Sequence, residues 1–381
     1  MKILIIPDKF KGSLSSEQAA EIIASGLKEG YITLTGKSDT LFTQIQPMAD
    51  GGEGTLEVIA GGDLHECLNR DINVIWINAD DPLGRKISVP YIIRGDVAYI
   101  EMARISGLQL LGRNEYNPLN ASTYGLGEVI VDALKKGAEE IIVGIGGSAT
   151  NDGGMGMLRA LGYKFVNNLG DEVFGIGEVA YIKKSETAVL YENVRFTVVS
   201  DVSNPLLGEK GASRVYSPQK GAGREMVNRL ESDMEHYATL CEDYTGKRFR
   251  DLPGAGAAGG TGFAFMTFLN AHIEPGWKYL FKTADVRRKI EDCDLVITGE
   301  GNVDSQSFSG KLLSGVSTIA REYGKRLWVF CGDSQIDLDT IKNAGIEKLF
   351  RLTELAPNKY TAIFEAERYL KKISIESATF L

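Results

Sequence analysis

The sequence predicts an α/β protein in which a doubly wound parallel sheet is interrupted by a second α/β domain. Three observations carry this. Apolar runs followed by helix-spaced segments recur at both ends of the chain, five in all. Between them lies a stretch whose strand-like segments are separated by only a few turn residues, the pattern of an antiparallel meander. The 381 residues also exceed what one core normally organises, so two or three domains are expected.

Taken in order, Lys2–Ile6 is an apolar run ending at Pro7 and Asp8 and reads as a buried strand. Ser15 and Gln18 are spaced as a capping box. Ala19, Ile22, Ile23, Gly26 and Leu27 follow at helical spacing, and Gly30 is placed to end the helix. Residues 31–40 read as a polar loop. Leu41–Ile45 is a second strand, leading through Met48-Ala-Asp-Gly-Gly-Glu-Gly-Thr55 into a helix that reaches about Ala60. Asn73–Asn78, Arg85–Ile93 and Val97–Met102 form the meander. A helix over Ser122–Lys136, backed by Gly137, precedes a strand at Glu140–Ile145. That strand runs into Gly144-Ile-Gly-Gly-Ser-Ala-Thr-Asn-Asp-Gly-Gly154 and a helix carrying Leu158 and Leu161. Arg195–Ser200 is a strand ending at Asp201 and 224–244 is a helix, whereas 167–193 carries no clear signal. Strands at Asp294–Thr298, Leu327–Cys331 and Lys348–Leu352 then alternate with helices over Leu312–Tyr323, Asp339–Ala344 and 359–371. Gly299–Asp304 reads as a loop. Five strand–helix pairs fit a flavodoxin-like domain over 1–65 and 286–381. The inserted domain is expected over 66–285, with the active site in the cleft between the two.

Charge and composition narrow the function. Lys plus Arg is 42 and Asp plus Glu is 51, a formal charge of −9. This argues against non-specific binding to nucleic acid or anionic membranes. Cys67, Cys241, Cys293 and Cys331 form no CxxC, and His65, His236 and His272 form no HExxH, so no His/Cys metal site is expected. The N-terminal apolar run is too short for a signal sequence, and no run approaches the ~18 residues of a membrane span. A soluble, cytoplasmic protein acting on small molecules is expected.

The chain has 44 Gly against 10 Pro, and the excess falls in four motifs of one form: apolar strand, glycine with Asp, Glu, Ser or Thr, then helix. In open α/β sheets ligands bind there. Glycine lets backbone N–H groups approach a phosphate, and neighbouring acids can hold Mg²⁺. The phosphate or nucleotide candidates are Gly146, Gly147, Ser148, Thr150, Asn151 and Asp152 in one loop, Gly256, Gly259 and Gly260 in another, and Gly299, Glu300 and Gly301 in a third. Alanine at Gly146 or Gly147 is expected to weaken nucleotide binding with little loss of stability. Named fingerprints fail. Ser305–Leu312 lacks the first Gly and the final Ser/Thr of a Walker A motif, and the GxGxxG at Gly254–Gly259 follows no strand. Gly144-Ile-Gly146-Gly-Ser-Ala149 does follow a strand, with Asp171 beyond it. This keeps an NAD-dependent oxidoreductase of a small hydroxy acid as an alternative, beside a non-catalytic nucleotide or sugar-acid binding protein.

Eight ordered motifs resemble those of the bacterial type 1 glycerate kinase family. They are 5–18 (IPDKFKGSLSSEQA), 47–55 (PMADGGEGT), 123–128 (TYGLGE), 144–158 (GIGGSATNDGGMGML), 201–208 (DVSNPLLG), 217–223 (SPQKGAG), 254–262 (GAGAAGGTG) and 298–311 (TGEGNVDSQSFSGK). Lys9 stands where Ser is common in that family, and Asn302 where Arg is common. The resemblance implies phosphoryl transfer from ATP to D-glycerate with Mg²⁺ in a two-domain protein, usually giving 2-phosphoglycerate, with 3-phosphoglycerate the other outcome. The residues agree with that chemistry, which needs positioned phosphates, charge neutralisation and a base for the alcohol. Asp201, Asp8 and Asp304 lie just after strands and are the candidate bases, Asp201 being favoured. Asp8, Asp201, Glu300 and Asp304 are the candidate Mg²⁺ ligands. Lys9, Lys11 and Lys311 are placed to neutralise charge or hold the glycerate carboxylate, Lys311 also counting among the catalytic candidates. Ser13, Asp50, Glu53 and Asn204 complete the substrate-binding set.

Overall fold

The structure is a computed structural model that describes residues 1–10, 12–37, 40–49, 51–65, 67, 71–185, 193–308 and 311–381. The chain divides into two compact units, Met1–Ala49 with Trp277–Leu381, and Asp50–Gly276. Strands β1 (Lys2–Ile5) and β2 (Phe42–Ile45) open the first unit. The second unit then contributes β3 (Asn73–Asp80), β4 (Lys86–Arg94), β5 (Val97–Glu101), β6 (Glu140–Gly144), β7 (Tyr163–Val166), β8 (Tyr181–Lys184), β9 (Arg195–Val199) and β10 (His272–Glu274). The chain returns to the first unit with β11 (Leu295–Val303), β12 (Arg326–Ser334) and β13 (Lys348–Arg351).

In the first unit the five strands pair in the order β13-β12-β11-β1-β2, all parallel. Counted within the unit this is 2-1-3-4-5, the flavodoxin-like order, whose ligand crevice lies at the switch between its first and third strands. Here that is the carboxyl end of β1 and β11. Along the sheet Ile3, Ile5, Leu295, Ile297, Trp328 and Phe330 form one buried core with helix residues such as Ile23, Leu27, Leu370 and Ile373.

Ser15 caps the first helix, Ser16–Thr35, by the expected box: Gln18 N–H donates to Ser15 Oγ at 3.1 Å and Ser15 N–H to Gln18 Oε1 at 3.0 Å. The helix does not stop at Gly30. A Cβ there would stand 2.3 Å from the Ile375 carbonyl oxygen, and one on Gly26 would stand 2.7 Å from Ser374 Cβ. Both glycines admit the helix Ala366–Ser377 at close range, and Gly36, at φ 69°, makes the cap. Residues 31–35, expected as loop, are therefore helical. Two further expectations are corrected. Gly299–Val303 continues β11, because Asn302 and Val303 keep pairing with Asp333 and Ser334. The closing helix is two, Lys359–Phe364 and Ala366–Ser377, broken at Glu365. The silent stretch 167–193 contains β8, which pairs antiparallel with β7 and is largely exposed.

The second unit holds a six-stranded sheet in the order β10-β9-β6-β5-β4-β3. β3, β4 and β5 form the expected antiparallel meander, and β5, β6, β9 and β10 run parallel. Ile100, Ile141, Val143 and Val198 pack against Leu126, Val129 and Ile130 of the helix Tyr124–Lys135 and against Phe263 and Phe265 of Thr261–Leu269. The unit begins earlier than residue 66. The helix Thr55–Ala60 packs on β4 and β5, and Leu56 N–H donates to the buried Glu101 carboxylate at 3.1 Å. At the other end Trp277 belongs to the first unit, where Gly315 leaves room for its ring: a Cβ on Gly315 would lie 2.4 Å from Trp277 Cζ3. Among the described residues no helix is long and apolar enough to cross a membrane.

Candidate functional site

At the carboxyl end of β6 the chain turns through Ile145, Gly146, Gly147 and Ser148. Gly146 N–H donates to the Gly51 carbonyl at 3.0 Å, and Gly147 adopts φ 76°. Two of the glycine motifs thus pack on one another, backbone to backbone. A Cβ on Gly146 would stand 2.7 Å from Gly52 Cα, and one on Gly144 2.5 Å from the Gly51 oxygen. The glycine at 146 therefore answers to protein packing, which runs against the expectation that alanine there brings little loss of stability. Gly147 has more room, with Ala103 Cβ at 3.2 Å, and its requirement is the positive φ.

This turn borders a cavity of about 410 Å³ whose walls include Gly146, Gly147, Ser148, Ser200, Tyr216 and Lys220. Lys220 is only 2% exposed. Its Nζ donates to Ser148 Oγ at 2.9 Å and to the Thr150 carbonyl at 2.7 Å. Burial pushes its pKa down to about 7, opposed by the Asp152 carboxylate. Sequence reasoning did not single out Lys220. Its signal was the run Ser217-Pro-Gln-Lys-Gly221, in which Gly221 at φ 98° lies against the Tyr116 carbonyl, so that the lysine ends a tight, enclosed turn.

The rest of the predicted phosphate loop faces elsewhere. Asn151 and Asp152 line a second cavity, of about 800 Å³, together with Tyr124, Arg159, Phe174 and Arg229. Asp152 is occupied in ordering its own loop. Oδ2 accepts Thr123 N–H and Oγ1–H, both at 2.8 Å, and Gly156 N–H at 3.2 Å, while Oδ1 accepts Gly154 N–H at 3.1 Å. Desolvation nevertheless raises its pKa. Asn151 Nδ2 donates to Ser213 Oγ at 3.2 Å, and the buried Asn151 Oδ1 and Thr150 Oγ1 have no hydrogen-bond partner among the described residues. The glycines of 254–262 also have packing reasons. A Cβ would stand 2.2 Å from the Pro205 oxygen at Gly256, 2.1 Å from the Thr150 oxygen at Gly259 and 2.9 Å from Gly153 Cα at Gly260.

Asp201 follows β9 between Ser200 and Val202, both of which line the 410 Å³ cavity. It is exposed, and its Oδ1 accepts the Gly276 N–H at 2.7 Å. Asn204 is engaged at both ends of its amide, donating to the Lys210 carbonyl and accepting from Tyr216 Oη–H, each at 2.7 Å. It shapes the loop. Glu53 is exposed at the rim of the same cavity. Asp171, which an NAD site would need beside the strand before the glycine turn, is exposed in the turn of the separate β7–β8 hairpin. The dinucleotide reading loses its ribose-binding acid.

The first unit gathers a different set at its switch point. Asp8 N–H donates to the Gly299 carbonyl at 2.7 Å, which joins the loop after β1 to β11, and Asp8 Oδ1 accepts Lys9 N–H at 2.7 Å. Gly299 lets β12 approach, since a Cβ would stand 2.2 Å from the Phe330 oxygen; Gly301 lies next along the same strand. The Glu300 carboxyl is pushed up to about 7, chiefly by burial and further by the charges of Asp8 and Asp304, while Ser307 and Lys311 oppose the shift. Asp304 accepts Asn302 Nδ2–H at 3.3 Å and donates its N–H to Ser307 Oγ at 3.1 Å. Lys311 is exposed just before the helix Leu312–Glu322. Ser13 is tied into its own turn, its hydroxyl donating to the Phe10 carbonyl at 3.0 Å. Lys11 and Asp50 lie outside the described residues. Among the described residues no three His, Cys, Asp or Glu side chains converge as a ready-made metal cage.

Comparison with known proteins gives one answer. The profile of the glycerate kinase family matches residues 3–381. The glycerate 2-kinase of Escherichia coli K12 is 39% identical over 360 residues, covering 92% of this chain and 90% of that protein. The glycerate kinase of Bacillus subtilis 168 is 38% identical over 384 residues, covering 99% and 97%. The crystal structure named for glycerate kinase 2 of Salmonella typhimurium LT2 superposes with a TM-score of 0.76 at 34% identity, covering 100% of this chain and 98% of that one.

Proposed function

The chain belongs to the glycerate kinase family, and on that premise we propose that it transfers the γ-phosphate of ATP to D-glycerate, giving 2-phosphoglycerate. The observation that carries the reading is the 410 Å³ cavity at the carboxyl ends of β6 and β9. There the Gly146–Ser148 turn, the buried Lys220 and the segment bearing Asp201 border one space. Phosphoryl transfer asks for positioning and charge neutralisation more than for covalent chemistry. In this reading the Gly147–Ser148 turn and Lys220 receive the donor phosphates. Asp201, its carboxylate oriented by the Gly276 N–H, takes the proton of the glycerate hydroxyl as that oxygen bonds to the γ-phosphorus and ADP departs. Lys9 and Lys311 supply positive charge for the glycerate carboxylate.

The switch-point carboxylates fit a divalent cation. Burial raises the Glu300 carboxyl first, and the charges of Asp8 and Asp304 raise it further; that repulsion a cation would relieve. Mg²⁺ is commonly held by one or two carboxylates with substrate phosphates, so no full protein cage is required. One or two of Asp8, Glu300 and Asp304 would hold it, and when bound it would neutralise charge on the phosphate oxygens. Transfer to O2 rather than O3 is supported by the name of the Escherichia coli relative. The four free cysteines support a reducing, cytoplasmic setting.

The test is direct. The purified protein is given ATP and Mg²⁺ with and without D-glycerate, ADP is followed, and the product is examined by proton-coupled phosphorus NMR. ADP should form only with glycerate and Mg²⁺. The product signal should be a doublet, from coupling to the single proton on C2. Equal ADP release without glycerate would sink the reading, and a triplet would move the transfer to O3.

A further inference from the structure

We propose that Lys220 is the anion-binding residue of the 410 Å³ cavity, a buried amine that accepts a proton as a nucleotide phosphate binds against it. The inference deepens the kinase reading and rests on it.

Lys220 is enclosed, at 2% exposure, yet it lines a cavity wide enough for a phosphate chain. Its two hydrogen bonds go to neutral oxygens, Ser148 Oγ and the Thr150 carbonyl. A protonated amine has three N–H donors and a full charge, and two neutral acceptors do not offset the burial of that charge. The neighbouring ionisable groups are otherwise engaged. Asp152 is the carboxylate that acts on Lys220, but its oxygens accept four N–H and O–H groups of residues 123–156 and make no ion pair with the amine. Arg214, on the helix that leads into the Lys220 turn, pairs with Glu209 and Glu231. Arg104, beside Ala103 under Gly147, pairs with Glu101 and Glu57. Glu53, Tyr116 and Tyr216 are the remaining titratable groups on the cavity wall, and Tyr216 donates its hydroxyl to Asn204. The cavity therefore presents an amine that makes no ion pair among the described residues, beside a glycine turn that leaves room for an anion.

Burial holds the free amine near a pKa of about 7. A phosphate dianion against Nζ stabilises the charged form and raises that pKa. The sign follows. Above pH 7 the empty site is largely neutral and nucleotide binding draws one proton from solvent onto Nζ. Affinity then falls as pH rises, by up to about tenfold per unit, until the pKa of the complex is reached. Well below pH 7 the amine is already charged and carries no uptake.

The experiment is calorimetric titration of the full-length protein with a non-hydrolysable ATP analogue and Mg²⁺, at about pH 8 and about pH 6, in buffers of different ionisation enthalpy. The wild type should take up close to one proton at the higher pH. Lys220→Gln should lose that uptake. Lys220→Arg, charged at every pH, should bind without uptake and with an affinity that no longer follows this titration. A lysine that merely braces the loop would move none of these. Buffer-independent heats for the wild type at the higher pH overturn the proposal, as does uptake that persists in Lys220→Gln. If ATP and glycerate are turned over while binding carries no uptake, Lys220 alone loses its role. If the analogue does not bind and no ADP forms, the kinase reading falls and this inference with it.

Discussion

Asp201 accepts the Gly276 N–H through Oδ1, so asparagine at this position keeps an oxygen for that bond while removing the basicity. A positioned base contributes roughly 10²–10⁴-fold in rate. Asp201→Asn should keep its fold and its nucleotide affinity while kcat falls at least ~10²-fold, as steady-state kinetics beside analogue titration would reveal. A loss under tenfold would leave Asp201 as a loop acceptor only. Gly146 makes the opposite case. Its missing Cβ faces Gly52 Cα at 2.7 Å, so Gly146→Ala should cost stability, about 1–3 kcal/mol in chemical denaturation. Gly147→Ala should cost only about 1 kcal/mol, for its positive φ. Equal, negligible losses would mean the Gly51–Gly52 segment gives way freely. These residues also mark how far a sequence speaks at this scale. The glycine turn after β6 was legible because glycine among Ser, Thr and Asp after an apolar run has few other uses. Lys220 was not, because lysine is ordinarily exposed and only tertiary enclosure makes one unusual. Nor could spacing tell that Ser13 and Asn204 are bound into their own loops.

Elements were read where their signals are local. The capping box at Ser15, the meander turns and the apolar runs of β1, β6 and β9 each depend on residues a few positions apart, and the structure keeps them. Their ends depended on partners far along the chain. Gly30 carries the local mark of a helix stop, yet it is a contact surface for the helix Ala366–Ser377. Similarly, Gly299–Val303 carries the composition of a loop but stays in register with β12, because β12 itself runs on to Ser334. The helix pair yields a test against intrinsic propensity. Alanine favours a helix over glycine by about 1 kcal/mol. Gly30→Ala should nonetheless destabilise the protein, by about 1–3 kcal/mol, because its Cβ would meet the Ile375 carbonyl oxygen at 2.3 Å. Denaturant midpoints decide it. A stabilised variant would show that Gly30 is an ordinary solvent-facing helix position.

For the whole molecule, a large core in each unit implies two separable folding units. Asp50–Gly276 contains a complete sheet, its covering helices and the buried cluster from Ala79 to Met266. Every residue on the wall of the 410 Å³ cavity lies within these bounds, Lys220, Ser148 and the glycine turn included. The carboxylates assigned to Mg²⁺, Asp8, Glu300 and Asp304, all lie in the other unit, as do Lys9 and Lys311. A domain with its own core generally folds alone. The fragment Asp50–Gly276 should therefore unfold cooperatively and bind the ATP analogue with the same proton uptake as the full chain. It should form no ADP from ATP and glycerate, because the residues assigned to the cation and the glycerate carboxylate are missing. Circular dichroism melts, calorimetry and the ADP assay on one preparation would decide each point. A folded fragment that no longer binds the analogue would show that the nucleotide needs residues of the first unit. Turnover by the fragment alone would remove Asp8, Glu300 and Asp304 from the chemistry.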